Sequence, residues 1–357
     1  EYEGAGGKHG LYNSASDQFA KVNYNYVEIP YPSGDNQESH GIVAHDSEVI
    51  GDTIIARMDG AWRKAVRGIR ADRSTIQDNH ISIYDDSNSG CCGLEGRSIA
   101  IVSYGDGAPR HLIANNTIEA SRHSRGIQAS HADIHQNQLS TGVDDNYDWG
   151  LFLEGYCDVR DNEFLGFESG IHADNDWDNE IVNNYLEVRN WGVYANNAQG
   201  AHLIEGNTIR NYTTGGEWLI YVTNAASVEV KNNECDALGG RGFYFQNTSV
   251  TMERNLIVTP GRGLELTNQA GGKVLNNTLV STDNGDYGIK ASNLSTPIIR
   301  NNIVQGFETG MQIDNDLMNT NVSHNGLWNI SGEQYAGTAL APLIGENNSF
   351  NGNGDES

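Results

Sequence analysis

Residues 150–184 read GLFLEGYCDVRDNEFLGFESGIHADNDWDNEIVNN, one complete unit of a recurring grammar followed by the most heavily charged part of the next. The grammar is a Gly, alternating apolar residues, a short polar turn, an apolar residue, and an Asn three positions later. Eleven Asn marks follow it: Asn79, Asn116, Asn137, Asn162, Asn184, Asn207, Asn233, Asn255, Asn277, Asn302 and Asn325. The slots three before and two after each mark are apolar in all twenty-two cases, in a chain only 37% apolar overall, so composition does not produce the pattern. Upstream of the marks runs a second series, from Gly41-Ile42 and Gly68-Ile69 through Gly150-Leu151 and Gly170-Ile171 to Gly288-Ile289 and Gly310-Met311. Asp52 takes the place of Asn in an earlier, degenerate repeat.

Short period-2 strands repeating every ~20–30 residues, with polar turns that absorb insertions, describe a solenoid. No stretch sustains the 3.6 period of a helix. The expected fold is all-β: a single-stranded right-handed parallel β-helix of roughly twelve rungs, three short strands per rung, with an Asn ladder at one turn. The repeats resemble those of the pectin-lyase-like superfamily over about residues 41–330, and that resemblance implies stacked Asn side chains at a tight turn. Asn suits such a turn because it tolerates a left-handed backbone and hydrogen-bonds nearby amides, so the ladder reads as structural. Residues 1–40 are expected to cap the coil, 41–330 to form it, and 331–357 to pack on the last rung and then fray.

Forty-seven acidic against 22 basic residues give a net charge of −25. That excludes nucleic acid and anionic membranes as partners, since both need a basic surface. No apolar run approaches the ~20 residues of a membrane span. An acidic surface, with Glu rather than Met at position 1, points to a processed, secreted or cell-surface chain. Cys157 and Cys235 fall on inward slots as buried hydrophobes, whereas Cys91-Cys92 sit in a long loop, either joined in a strained ring or reduced.

With the interior filled by apolar slots, chemistry belongs outside. The residue two after each Gly points outward and gives a column of Arg70, Gln128, Phe152, His172, Tyr194, Tyr221, Tyr244, Glu265, Lys290 and Gln312. Aromatic faces among long polar side chains suit sugar rings, although an aromatic ladder also stabilises stacked strands by itself. Arg70, Gln128, Phe152, Tyr221, Tyr244 and Lys290 are the expected substrate-binding residues. The next outward column carries Glu154 and Asp174, and acids thicken around them at Asp148, Asp176 and Asp178. Calcium held by Asp148, Asp174, Asp176 and Asp178 would compensate that charge, as would a carboxyl pair with one raised pKa. No organic cofactor is expected, since the glycines open strands rather than a phosphate-cradling helix.

Three functions fit. A polysaccharide lyase or epimerase-like enzyme on a uronate polymer would use His172 and Tyr194 as base and acid. A glycoside hydrolase would use Glu154 with Asp174 or Asp148. A non-catalytic glycan-binding β-helix would only adhere. The chain lacks the paired-Asp set of polygalacturonase-like hydrolases and the DPHE string of mannuronan epimerases, although GIHAD at 170–174 keeps a His and an Asp in such a strand.

Overall fold

The structure, a computed structural model, describes residues 2–4, 7–12, 21–29, 39–58, 66–85, 98–105, 111–121, 124–142, 148–174, 178–197, 199–213, 217–293, 295, 297–314, 321–337 and 349–351. The chain forms two compact units, Glu1–His172 and Ala173–Ser357. Each is built from the same rung. A Gly-led strand of sheet I turns into a strand of sheet II, the Asn turn follows, and a strand of sheet III leads to the next rung.

In the second unit one rung is Trp191–Asn196, Ala201–Glu205 and Thr208–Asn211. The next is Trp218–Thr223, Ser227–Lys231 and Glu234–Ala237, each strand pairing in parallel with its counterpart. In the first unit Val66–Asp72, Ser98–Ser103, Ser124–Ala129 and Trp149–Leu153 follow one another in sheet I, again in parallel. The expected parallel β-helix is therefore what each unit forms. The apolar slots fill its interior: Ile76, Ile113 and Ile134 in the first unit and Val230 and Val274 in the second are fully buried. Cys157 and Cys235 are buried thiols, as their slots require, while Cys91 and Cys92 lie outside the described residues.

The Asn marks form the expected ladder, with one difference in its mechanics. Within each unit the Oδ1 of an Asn mark accepts from the backbone N–H and the Nδ2 of the preceding Asn, as in Asn79 to Asn116 at 3.0 and 2.9 Å and Asn207 to Asn233 at 2.9 and 3.0 Å. The left-handed backbone is not at the mark but one residue before it, at Asp78, Asn115, Gln136, Asp161, Asn183, Asn232, Arg254, Asn276, Asn301 and His324. That residue reverses the chain, which turns the next side chain inward and buries its amide among backbone groups that need partners. Asp52 does act as a mark, accepting from Asn25 and donating its N–H to Asn79 Oδ1 at 2.9 Å.

Parallel pairing begins upstream of residue 41. Lys21–Asn23 pairs with Glu48–Ile50, and Tyr26–Ile29 with Thr53–Met58, so these residues belong to a rung rather than to a separate cap. Val22, Asn25 and Val27 carry the same spacing as the later marks. Tyr2–Gly4 departs from the pattern by pairing antiparallel with Gly7–Tyr12.

His202 is an exception inside the second unit. It points inward from Ala201–Glu205, between Asn179 and Val228 in register, and burial pushes its pKa down to about 4 against a weaker upward pull from Asp178. The unfolded chain therefore takes up this proton first, near pH 6.5. His202 leaves stability intact above that pH and erodes it as pH falls to about 4, by about 3 kcal/mol in all. Urea unfolding of the unaltered chain and of His202→Gln at pH 7.5 and pH 4.5 is expected to show a smaller loss on acidification in the variant. Equal losses would contradict the assignment.

Candidate functional site

Sheet I carries the outward columns. Gly68 is fixed by crowding, since a Cβ there would stand 2.6 Å from the Ala100 carbonyl and 2.8 Å from Ile81. The register pairs His40 with Arg67 and Ile42 with Ile69, passing over the Gly. Alternation breaks at that residue, as in a bulge, and the side chain before the Gly reaches the same outer face as the one two after it. Arg125 lies 4.1 Å over the Phe152 ring, and the Trp191 and Tyr194 ring centroids are 5.3 Å apart. Strict alternation from the Gly hides this second column: Arg67, Ile99, Arg125, Trp149 and Ser169 in the first unit, and Trp191, Trp218, Arg241, Arg262, Tyr287 and Thr309 in the second. Ala100 and Leu219 stand where other rungs have Gly, which adds Val102 to the outer column and confirms the alignment of Tyr221 with Tyr194 and Tyr244.

In the first unit the columns build a hydrogen-bonded row. Buried Arg125 lies 4.5 Å over Trp149 and donates through Nη1 to Gln128 Oε1 at 2.7 Å. Gln128 Nε2 donates in turn to Tyr104 Oη at 2.7 Å and Glu154 Oε2 at 2.9 Å. Burial, with the Glu154 charge beside it, pushes the Tyr104 phenol up to about 12. Arg70 is half-buried between Val43 and Val102 in register. Two expectations change here. His172 is not a solvent-facing base: it is 8% exposed, its ring lies flat on Trp149 at 4.0 Å, and its Nε2 is sealed from solvent. Asp148 is not on the surface: it is fully buried and accepts the Ser124 N–H at 3.1 Å, so packing places it inside the turn into its strand. Gln128 and Phe152, expected to line an open groove, are also buried.

In the second unit Tyr194, Tyr221 and Tyr244 stack with centroids 5.1 and 5.0 Å apart and planes within 7°. The spacing is that of the strands, ~4.8 Å. Both faces of Tyr221 are thus covered by its neighbours, and what the partly exposed rings offer a ligand is their edges and hydroxyls rather than a stacking platform. Tyr244 donates to Gln246 Oε1 at 3.1 Å, and burial, then Tyr221 and Glu265, push its pKa up to about 12. Trp218 leans on Tyr244 at 5.3 Å with Arg241 over its ring at 5.5 Å. Beyond them Tyr287 donates to Glu265 Oε2, and Arg262 sits 3.6 Å from that carboxylate and 3.1 Å from Asp286. Arg262 and Lys290 lie over the Tyr287 ring at 5.4 and 5.3 Å. Asp178 is exposed and accepts the Ala201 N–H at 2.7 Å. The side chain of Asp174 and all of Asp176 lie outside the described residues.

The two outer columns invert the charge of the chain. In the first unit they hold Arg67, Arg70 and Arg125 and no acid, and in the second Arg241, Arg262 and Lys290 with Glu265 alone. Acids outnumber Lys and Arg 47 to 22 in the chain as a whole.

The family profile described as right handed beta helix region matches residues 149–285 and again 219–357, more than half of the chain between them. The chain belongs to the right-handed β-helix family. The profile described as periplasmic copper-binding protein (NosD) matches residues 20–211 of this β-helix. Among the described residues no three His, Cys, Asp or Glu side chains are placed together to hold a metal ion. No curated protein matches the chain. Similar solved structures are the A-modules of two Azotobacter vinelandii mannuronan C-5 epimerases. AlgE6 is 14% identical over 92% of this chain and 89% of that one, with a TM-score of 0.46. AlgE4 is 12% identical over 92% and 90%, with a TM-score of 0.36.

Proposed function

We propose that this β-helix binds an anionic, uronate-containing polysaccharide along the outer face of sheet I and acts on it by proton abstraction next to the uronate carboxylate, as a lyase or an epimerase. The observation that carries the reading is the cationic strip on a chain of net charge −25. A polymer of like charge would be repelled by the surface at large, so a binding path for it must concentrate cations locally. Polar aromatic edges beside those cations suit hydroxyl-rich chains. In the second unit Tyr194, Tyr221, Tyr244 and Lys290 line the path; in the first, Arg70 stands on the corresponding face, with Gln128, Phe152 and His172 buried in the same column. The periplasmic protein named by the matched profile supports a place in the periplasm or outside the cell.

Incubation with uronate and neutral polysaccharides, recording 235 nm absorbance and reducing ends together, tests the reading. Absorbance with new ends on uronate polymers alone is expected of a lyase, and proton exchange with solvent without cleavage of an epimerase. New ends without absorbance would replace both with a glycoside hydrolase, and binding without any reaction with an adhesive β-helix.

A further inference from the structure

The cationic strip of the second unit carries one carboxylate, and that carboxylate is held by a hydrogen bond and an ion pair. Glu265 stands between Tyr244 and Lys290 in register. Its Oε2 takes the hydroxyl hydrogen of Tyr287, which is only 4% exposed, and faces Arg262 at 3.6 Å. Tyr287 is itself fixed, with Arg262 and Lys290 over its ring. Ordering four long or bulky side chains around one acid costs conformational entropy. A surface ion pair alone returns little of it, whereas a carboxylate held in one rotamer beside cations is what proton transfer at a bound ligand requires. Oε2 receives both contacts, which leaves Oε1 for a ligand in the column.

We propose that Glu265 is the catalytic base of sheet I, positioned by Tyr287 and served by Tyr244 as proton donor, acting on a uronate unit of a bound polyanion; this rests on the polysaccharide reading above. Arg241 and Lys290 pair with the uronate carboxylate and stabilise the negative charge that develops on it. Glu265 Oε1 removes the proton from the adjoining ring carbon, and the freed electron pair forms the ring C=C bond. The C–O bond to the neighbouring sugar breaks, and its oxygen takes the phenolic proton of Tyr244. Tyr244 enters the step protonated, its pKa near 12 being close to that of the leaving alkoxide. The proton on Glu265 returns to the Tyr244 phenolate through water, restoring both groups with no oxidant or metal consumed.

The test compares the unaltered chain, Glu265→Gln and Tyr287→Phe on alginate and polygalacturonate, with 235 nm turnover and calorimetric binding measured on each. Glu265→Gln is expected to lose at least about a hundredfold in turnover while its Kd changes less than about threefold. Tyr287→Phe is expected to lower kcat at least about tenfold with KM and Tm little changed, because Glu265 loses the contact that orients it; a merely structural role would lower Tm and leave kcat of the folded fraction in place. Full turnover in Glu265→Gln overturns the assignment, and so does an unchanged kcat in Tyr287→Phe if Glu265→Gln does not fold. Binding without turnover in the unaltered chain overturns it too, while leaving the polysaccharide reading standing. Failure of the unaltered chain to bind either polyuronate overturns that reading itself.

Discussion

Ile204→Asp is expected to abolish soluble, folded protein. Ile204 is 1% exposed on the inner face of sheet II, paired in register with Ile181 and Val230, and its carbonyl accepts from Asn233 Nδ2 at 2.9 Å. A carboxylate placed there meets only apolar side chains. It must remain charged without a partner or take up a proton, and either way the cost is several kcal/mol, a large part of the 5–15 kcal/mol that holds an ordinary domain together. Ile204→Val removes one methylene and is expected to cost only about 1 kcal/mol, so the pair separates charge from volume. Soluble expression and a cooperative melt of Ile204→Asp at the native temperature would mean that the inward register is wrong, and with it both outer columns.

The second large effect is expected from Asn233→Ala. This side chain accepts from the N–H and Nδ2 of Asn207 and donates to the Ile204 carbonyl and to Asn255 Oδ1. Removing it strands at least two of those buried groups, at about 1–3 kcal/mol each, so a loss of about 4 kcal/mol is expected in urea unfolding. A second ladder gives the control. Asn224 has a φ of 57°, donates to Asn197 Oδ1 at 2.8 Å and accepts from Asn247 at 2.8 Å, but its bonds are exposed. Asn224→Gly keeps the left-handed conformation open and gives those groups to water, so it is expected to cost less than about 1 kcal/mol. Equal losses in the two variants would contradict the role given to burial.

The inward lattice was legible because it is written in residue type at fixed spacing. The −3 and +2 apolar slots needed no knowledge of the loops between rungs, and Val22, Asn25 and Val27 carry the signal as clearly as the later marks. That rung is harder to read because its Gly-led strand, Gly7–Tyr12 with Leu11 in register beside Ile42, stands well upstream of 21–29. Ala100 hides one more Gly position, whereas Leu219 does not, since LIYVTN at 219–224 aligns with GVYANN at 192–197. The left-handed residues were less legible, since Asp, Gln, Arg and His all serve at a position that depends on its place before the mark rather than on residue type.

The outer face was legible only in part, and the cause is the unpaired Gly. A strict period of two places Arg125, Trp218, Arg241 and Tyr287 inside the coil, whereas the break in alternation carries Arg125 to the face of Phe152 in the first unit and the others to the face of Tyr221 and Tyr244 in the second. The cationic strip therefore becomes visible only with both columns together. Burial was the other missing quantity. His172 and Asp148 have the residue types of a reactive site, but they are buried, the one stacked on Trp149 and the other accepting the Ser124 amide.

The most direct test of the central claim is calorimetric titration of alginate and of neutral dextran into the unaltered chain and into the combined variant Arg241→Gln, Arg262→Gln, Lys290→Gln, each at low and high salt. The cationic strip predicts binding of alginate but not dextran, weakening with salt as exposed charges are screened, and a loss of at least about tenfold in the variant, equivalent to about 1.4 kcal/mol. Alginate binding that ignores both salt and the three substitutions, or that dextran matches, would contradict it.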